Sequence, residues 1–323
     1  MNQIILGECL EKMKNIPNNS IDLVLTDPPY NIKKDTWDNI KNYEEWCLKW
    51  ILECQRVLKD NGSFYFFHND MPTISKLMNM MEQKTKFKFK QMIVWNKKFS
   101  GASNEEFLQG FNEIKTLRNY QKMVEYCLFY TFQNDTGLFA VYGSTDNFQS
   151  IKKYMSDEKK KSGLNTCDQI NKFLGINSNG GGQASHFFNA KGKKWTIPTK
   201  ELYQKLQSTG YFQKSYESLR REYESMRYTF NNQKTHHSVW NYETAKTQGH
   251  ITPKPVQLIE NIIKHSSNEG DLILDPFAGS GTTAIACMNT NRNYICIEKE
   301  GKYFELIQKR IKNQSQKLEA FCP

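Results

Sequence analysis

No stretch of roughly eighteen apolar residues occurs in this chain of 323 residues, which excludes a membrane-spanning helix. The opening residues, Met1-Asn2-Gln3-Ile4-Ile5-Leu6-Gly7-Glu8, lack the basic start and long apolar segment of a secretory signal, so a cytoplasmic location is expected. No CxxC pair is present. The eight cysteines are scattered from Cys9 to Cys322, several inside apolar runs, and read as reduced packing residues rather than a disulfide framework or a zinc site. His186, His236 and His237 show no ligand spacing, so no metal is expected. Acid is in short supply: 34 Asp and Glu face 44 Lys and Arg, a formal net charge of +10 that favours a polyanionic partner. Nearly all of that surplus lies in one block, because residues 151–235 hold 16 Lys and Arg against 7 Asp and Glu. The block is interleaved with aromatics, which suits a nucleic-acid surface better than a merely solubilising one.

What is present is an alternation of strand-like and helix-like segments. Ile21-Asp22-Leu23-Val24-Leu25 reads as a short buried strand, and residues 43–59 as an amphipathic helix with Trp46, Trp50, Ile51, Cys54 and Val57 on one face, stopped by Asp60-Asn61-Gly62. Ser63 to Phe67, Gln91 to Trp95 and Val124 to Tyr130 read as further strands, with Pro72 opening a helix and a polar loop over 97–104. From Gln133 to about Lys234 the alternation is lost. A loop over 177–182, the run Lys191-Gly192-Lys193-Lys194 and short helices near Asp168, Thr199 and Leu219 stand there, as in a loose helix-turn-helix-like reader. The alternation then resumes with a helix opened by Pro255, strands over 271–274 and 294–297, and a last helix from Tyr303. The expected fold is α/β, a doubly wound, mostly parallel sheet with an inserted, mainly helical domain. Residues 1–132 and 236–323 form its catalytic part, and residues 133–235 the insert.

Two motifs carry chemistry. In Thr26-Asp27-Pro28-Pro29-Tyr30, two prolines directly after a strand force a stiff loop that presents an acid and a ring at the strand's carboxyl end, where ligands bind in open α/β sheets. In Asp275-Pro276-Phe277-Ala278-Gly279-Ser280-Gly281, a strand ending in an acid meets a glycine turn and a helix start, which lets a ligand approach the backbone. A Walker phosphate loop fails, because no lysine follows Gly281. Gly279-x-Gly281-x-x-Ala284 does fit a dinucleotide fingerprint, with Glu298 at a ribose distance downstream, so an NAD-dependent oxidoreductase stays open on spacing alone. Asp275 directly before Pro-Phe suits a ligand with an ammonium group instead.

With these residues, and Pro253-Lys254-Pro255 ahead of the second motif, the chain resembles the β-group of amino-methylating DNA methyltransferases, which use S-adenosylmethionine. The permuted order (catalytic tetrapeptide, basic insert, cofactor loop) carries that resemblance over everything outside the insert. It implies methyl transfer to the exocyclic N6 of adenine, or alternatively N4 of cytosine, in double-stranded DNA by base flipping; an RNA amino-methyltransferase shares the logic of the tetrapeptide. It implies that Asp27 and the Pro28 carbonyl accept the two amino hydrogens, that Pro29 stiffens the loop, and that Tyr30 stacks on the extruded base. Asp275 is expected at the methionine ammonium, the backbone of Phe277 to Gly281 along the pocket beside Pro276, Glu298 at the ribose, and Lys254 near the methionine carboxylate. Glu8 and Cys9 stand where the family has Gly-Asp-Cys at the adenine end of the cofactor. The resemblance also admits a homodimer and a cognate restriction endonuclease as partners.

Overall fold

The computed structural model describes residues 2–33, 36–102, 120, 123–133, 148–176, 182–189, 195–231, 237–245 and 253–321. The lysine run at 191–194, His236, most of the loop over 177–182 and the end of the loop over 97–104 lie outside the described residues. In chain order the elements are β1 (Asn2–Leu6), α1 (Cys9–Met13), β2 (Ile21–Thr26), a 3-10 turn (Thr36–Asp38), α2 (Tyr43–Val57), β3 (Leu58–His68), α3 (Met71–Lys84), β4 (Lys88–Asn96) and β5 (Val124–Thr131). Then come α4 (Gln149–Lys161), α5 (Cys167–Leu174), α6 (Gly182–Phe188), α7 (Lys200–Gln207) and α8 (Tyr216–Ser225). The chain closes with β6 (Val239–Asn241), α9 (Val256–Ser266), β7 (Leu272–Asp275), α10 (Thr282–Asn289), β8 (Asn293–Glu298) and α11 (Gly301–Phe321). No described helix is long and apolar enough to cross a membrane.

Contacts divide the chain into one unit made of Met1–Phe132 with Thr229–Pro323 and a second made of Gln133–Tyr228. The second boundary comes ahead of residue 235 because Phe230 already stacks on Phe129 and Asn231 N donates to the His265 carbonyl at 2.6 Å. In the first unit the strands form one sheet of order β1-β8-β7-β2-β3-β5-β4-β6. Every neighbouring pair from β1 to β3 is parallel, as is β4 with β6, while β5 runs antiparallel to both β3 and β4. The molecule is thus an α/β protein with a mostly parallel sheet and, among the described strands, one that is reversed. β2 lies between β7 and β3, so the two motif-bearing strands, far apart in sequence, end side by side.

Local chemistry explains the elements around that junction. Cys47, Trp50, Ile51, Cys54 and Val57 recur at three- and four-residue spacing and are buried on the sheet, which makes α2 amphipathic. The helix ends at Val57, where Leu58 turns extended, rather than at Asp60-Asn61-Gly62. Those three residues lie inside β3, where its register with β2 shifts. A Cβ on Gly62 would stand 2.6 Å from the Leu58 side chain, so the glycine serves this irregular crossing and not a helix stop. Trp50, Phe64, Phe66, Phe87 and Tyr130 build the adjoining core through edge and stacked ring contacts.

The second unit has a core of its own, in which Phe148, Ile151, Met155, Trp195, Tyr203, Leu219 and Tyr223 come together. Its described elements are all helices. α4 is one that the sequence pattern does not announce, because lysines surround its buried Ile151 and Met155. Thr166 and Gln169 form a capping box on α5, which Gly175 ends at φ 74°.

Candidate active site

β2 and β7 deliver their acids to one place. Thr26, the last residue of β2, donates its hydroxyl to Asp275 Oδ1 at 2.7 Å, tying the two strand ends together. A cavity of about 190 Å³ opens there. It is lined by Glu8 and Cys9, by Asp27, Pro28, Pro29 and Tyr30, by Lys254, and by Asp275, Pro276, Phe277, Ala278, Gly279, Ser280 and Glu298. Of the residues expected at the site, Gly281 alone does not line it. Among the described residues no cluster of His, Cys, Asp and Glu is placed to hold a metal ion.

The tetrapeptide is anchored on two sides. On one side, Tyr30 donates its hydroxyl to Asp27 Oδ1 at 2.5 Å, and the Lys254 ammonium pairs with Asp27 Oδ2. Lys254 Nζ also lies 3.3 Å from both Tyr30 Oη and Glu125 Oε2, and Lys97 pairs with the other oxygen of Glu125. Lys254 is buried: its side chain and that of Glu125 are 7% exposed, and that of Asp27 is 27%. The acid is the accessible tip of a buried ion chain. Burial works to raise the Glu125 carboxyl, and the ammonium groups of Lys254 and Lys97 reverse this and hold it below its ordinary range. Burial works to lower the Lys254 ammonium, and Asp27 and Glu125 outweigh it, leaving it above its usual range. Burial first, then the charges of Asp27 and Glu125, push the Tyr30 phenol up, so it stays a hydrogen-bond donor. Breaking a buried pair of this kind by removing one partner costs on the order of 3–5 kcal/mol.

On the other side, Tyr43 donates its hydroxyl to the Pro29 carbonyl at 2.6 Å. The direction follows from His68. The backbone N–H of Asp70 donates to His68 Nδ1 at 3.0 Å, so the ring proton sits on Nε2 and is donated to Tyr43 Oη at 3.2 Å. His68 also lies against Tyr30, with ring centroids 4.8 Å apart. With one ring contact to His68 and only 8% of its surface exposed, Tyr30 is packed rather than open-faced. After the tetrapeptide, buried Asp38 accepts from the backbone N–H groups of Asn31 and Ile32 at 2.6 and 3.1 Å, closing the loop back on itself.

At the β7 end, Asp275 is buried and accepts three hydrogen bonds, from Thr26, from Phe277 N at 3.1 Å and from Thr283 Oγ1 at 2.5 Å. Burial pushes its carboxyl up to about 6, against the pull of those donors and with help from the Asp27 charge. Glu298, at the end of β8, accepts from Gly279 N at 2.7 Å and Glu300 N at 2.8 Å, and burial raises it as well. Gly281 has φ 76°, and a Cβ there would meet Ile307 of α11 at 2.8 Å. Its missing side chain makes room for a helix, not for a ligand. Glu8 caps α1 through Leu10 N at 2.7 Å, and the Cys9 thiol, raised by burial first, points at the Glu8 carboxylate at 3.4 Å.

The sequence reading missed Glu125, Lys97, Tyr43 and His68. A lone acid inside the otherwise apolar run Val124 to Tyr130 was the one signal available for Glu125.

Known proteins similar to this chain are of one kind. The chain is 27% identical to the Type II methyltransferase M.HpaI of Haemophilus parainfluenzae over 97% of its length and 74% of that protein. It is 26% identical to the DNA adenine methyltransferase YhdJ of Escherichia coli, over 95% of this chain and 82% of the other. Among solved structures, the M1.HpyAVI–SAM complex superposes with a TM-score of 0.51 at 21% identity, covering 96% of this chain and 100% of the other. The cytosine-N4-specific PvuII DNA methyltransferase gives 0.54 at 14% identity, over 98% and 91%. The family model described as DNA methylase, of the N6 and N4 type, matches residues 21–309, from the strand before Asp27 to the helix after Glu298. With both motif loops inside that match, the chain belongs to the N6/N4 DNA methylase family.

Proposed function

We propose that this protein transfers a methyl group from S-adenosylmethionine to the exocyclic N6 of adenine in double-stranded DNA. The observation that carries the reading is the meeting of Asp27 and Asp275 at one cavity, joined through Thr26, with Asp27 the exposed tip. The donor set fits the cofactor. Buried Asp275 suits an ammonium group, Glu298 suits ribose hydroxyls, and Phe277 with the backbone to Ser280 supplies an apolar wall. Glu8 and Cys9 complete the rim at the end of β1. When bound, S-adenosylmethionine supplies an electrophilic methyl group on a sulfonium.

The protein's own part is to prepare the amine. An exocyclic amino nitrogen is a poor nucleophile because its lone pair is delocalised into the ring. Asp27 and the carbonyl of Pro28 accept its two hydrogens, which favours a pyramidal nitrogen with the lone pair free for in-line attack. Tyr30 and Lys254 fix the two oxygens of Asp27, and Tyr43 fixes the next carbonyl along, at Pro29, so the acceptors are preorganised. Inside a duplex the amino group is paired, so the base must be rotated out to reach Asp27. Tyr30 stacks on that base in this reading, which requires its ring, packed here beside His68 and Lys254, to be uncovered as the base enters. The basic second unit supplies the DNA surface, and a companion endonuclease fits the Type II naming of the relatives.

The family resemblance implies adenine rather than cytosine, since cytosine-N4 members more often carry serine at the position of Asp27, and one relative is named a DNA adenine methyltransferase. Asp27→Ala is expected to abolish methyl transfer to DNA while leaving duplex affinity within about threefold; activity that survives the change would remove Asp27 from the mechanism. Sequencing modified bases in DNA from a methylation-free host that expresses the protein identifies base and target together. N4-methylcytosine there would replace the adenine reading, and no modified base would return RNA to contention.

A further inference from the structure

We propose that Lys254 is a positioning residue for the catalytic carboxylate, held in place by Glu125 and Lys97, and that it acts on Asp27 rather than on the carboxylate of the methyl donor. The proposal rests on the transfer reaction above and assigns a new role within the same site.

Three observations support it. An ammonium has three N–H groups, and Lys254 Nζ has three partners in this cluster: Asp27 Oδ2, Tyr30 Oη at 3.3 Å and Glu125 Oε2 at 3.3 Å. Its donors are thus turned to the tetrapeptide and not along the cofactor loop. Second, the sheet's reversed strand delivers the anchor. Because β5 runs against its neighbours, its amino end, with Glu125, lies at the edge where the parallel strands finish, and Asn96 at the end of β4 pairs with Val124 there. Lys97 follows directly and pairs with Glu125. A strand in the parallel sense would bring its other end to this edge. Third, the charges alternate from Asp27 through Lys254 and Glu125 to Lys97, so the chain is neutral as a whole. Glu125 keeps the Lys254 ammonium from turning to other anions that enter the site, including DNA phosphate.

The consequence concerns geometry. An aspartate side chain rotates about two bonds, and amine activation needs its oxygens fixed. Tyr30 on Oδ1 and Lys254 on Oδ2 use one lone pair of each oxygen and leave another free for the incoming N–H. Loss of one tether displaces the acceptor without removing it.

The test compares Lys254→Met, Lys254→Arg and Glu125→Gln with the wild-type protein, using S-adenosylmethionine and duplex DNA from a methylation-free host. Lys254→Met is expected to lower the single-turnover rate at saturating cofactor about 100-fold, the scale of a small misplacement of reacting groups. Calorimetric affinity for S-adenosylmethionine should stay within about threefold, and Lys254→Arg should recover part of the rate. A rate unchanged at saturation, with cofactor affinity lowered about tenfold or more, would overturn the proposal and place Lys254 on the donor's carboxylate. No change in either quantity would also overturn it. Glu125→Gln, nearly isosteric, keeps the question decidable if Lys254→Met does not fold: a lower rate with normal cofactor affinity supports the proposal, and a normal rate ends it. An activity-independent readout separates this proposal from the function it rests on. In urea unfolding of the cofactor-free protein, Asp27→Asn and Lys254→Met should shift the midpoint by less together than the sum of their separate shifts. Additive shifts would show that the pair does not exist, whatever the wild-type enzyme methylates.

Discussion

Asp275 shows how one side chain sets a condition on ligand binding. Its carboxyl is raised to about 6 by burial, and three donors hold its orientation. Above that value the group is ionised and attracts an ammonium. Below it, a proton occupies the carboxylate that the ligand needs, and binding must displace it. Affinity for S-adenosylmethionine is therefore expected to be flat from about pH 6 up to the range where the ligand's own amino group loses its proton, and to fall below about pH 6, approaching tenfold per unit, one proton competing with one ligand. Calorimetry in matched buffers checks this, and the same titration in two buffers of different ionisation enthalpy should show proton release on binding near pH 6. An affinity independent of pH between about 5 and 7 would mean that the ligand's cation is held elsewhere.

At the scale of elements, the cofactor loop depends on a helix, α11, that meets the cavity only in its first turn, at Tyr303. Gly281 sits in the left-handed region, and Ile307 of α11 occupies the space where its Cβ would be. Gly281→Ala is expected to destabilise the protein by about 1–3 kcal/mol through strain and overpacking. Ile307→Ala, costly by itself at a buried position, should cost less in the Gly281→Ala background than in the wild type, and a double-mutant cycle by chemical denaturation measures the difference. Additive costs would mean that backbone strain at φ 76° accounts for the whole effect of Gly281→Ala. The motif was legible in the sequence because a strand, an acid and glycines are local signals. What Gly281 is for was not, since Ile307 is supplied by a distant helix. The same division holds elsewhere. Asp27 to Tyr30 was readable because two prolines after an apolar run leave the backbone few choices. Glu125 and Lys97 were not, because their place depends on the direction of β5, and an apolar run does not encode whether a strand runs with or against its neighbours. Tyr43 and His68 read as ordinary core residues, and their hold on Pro29 exists only once α2 and β3 pack beside the loop. α4 went unrecognised because its lysines hide a narrow apolar stripe.

For the whole molecule, charge is divided as the two tasks are. The unit that carries the cavity holds 29 Lys and Arg against 25 Asp and Glu, while the second unit, less than half as long, holds 15 against 9. Counterion release makes such a surface bind a duplex with a steep salt dependence, each neutralised phosphate adding about 0.9 to the slope of log K against log salt. In the proposed reading, exposed Lys153, Lys172 and Arg221 of the second unit contribute to that slope. Replacing all three by Gln should weaken duplex binding at low salt and reduce the slope by about 1 for each side chain that contacts a phosphate. Affinity for S-adenosylmethionine should not change, because no described residue of the second unit lines the cavity. The loss should also be nearly equal for duplexes with and without the target sequence, since phosphate contacts hold the protein on DNA without reading bases. A loss confined to the target duplex would instead make these side chains readers of base edges. An unchanged slope would take them off the DNA and leave the basic surplus of this unit to other residues.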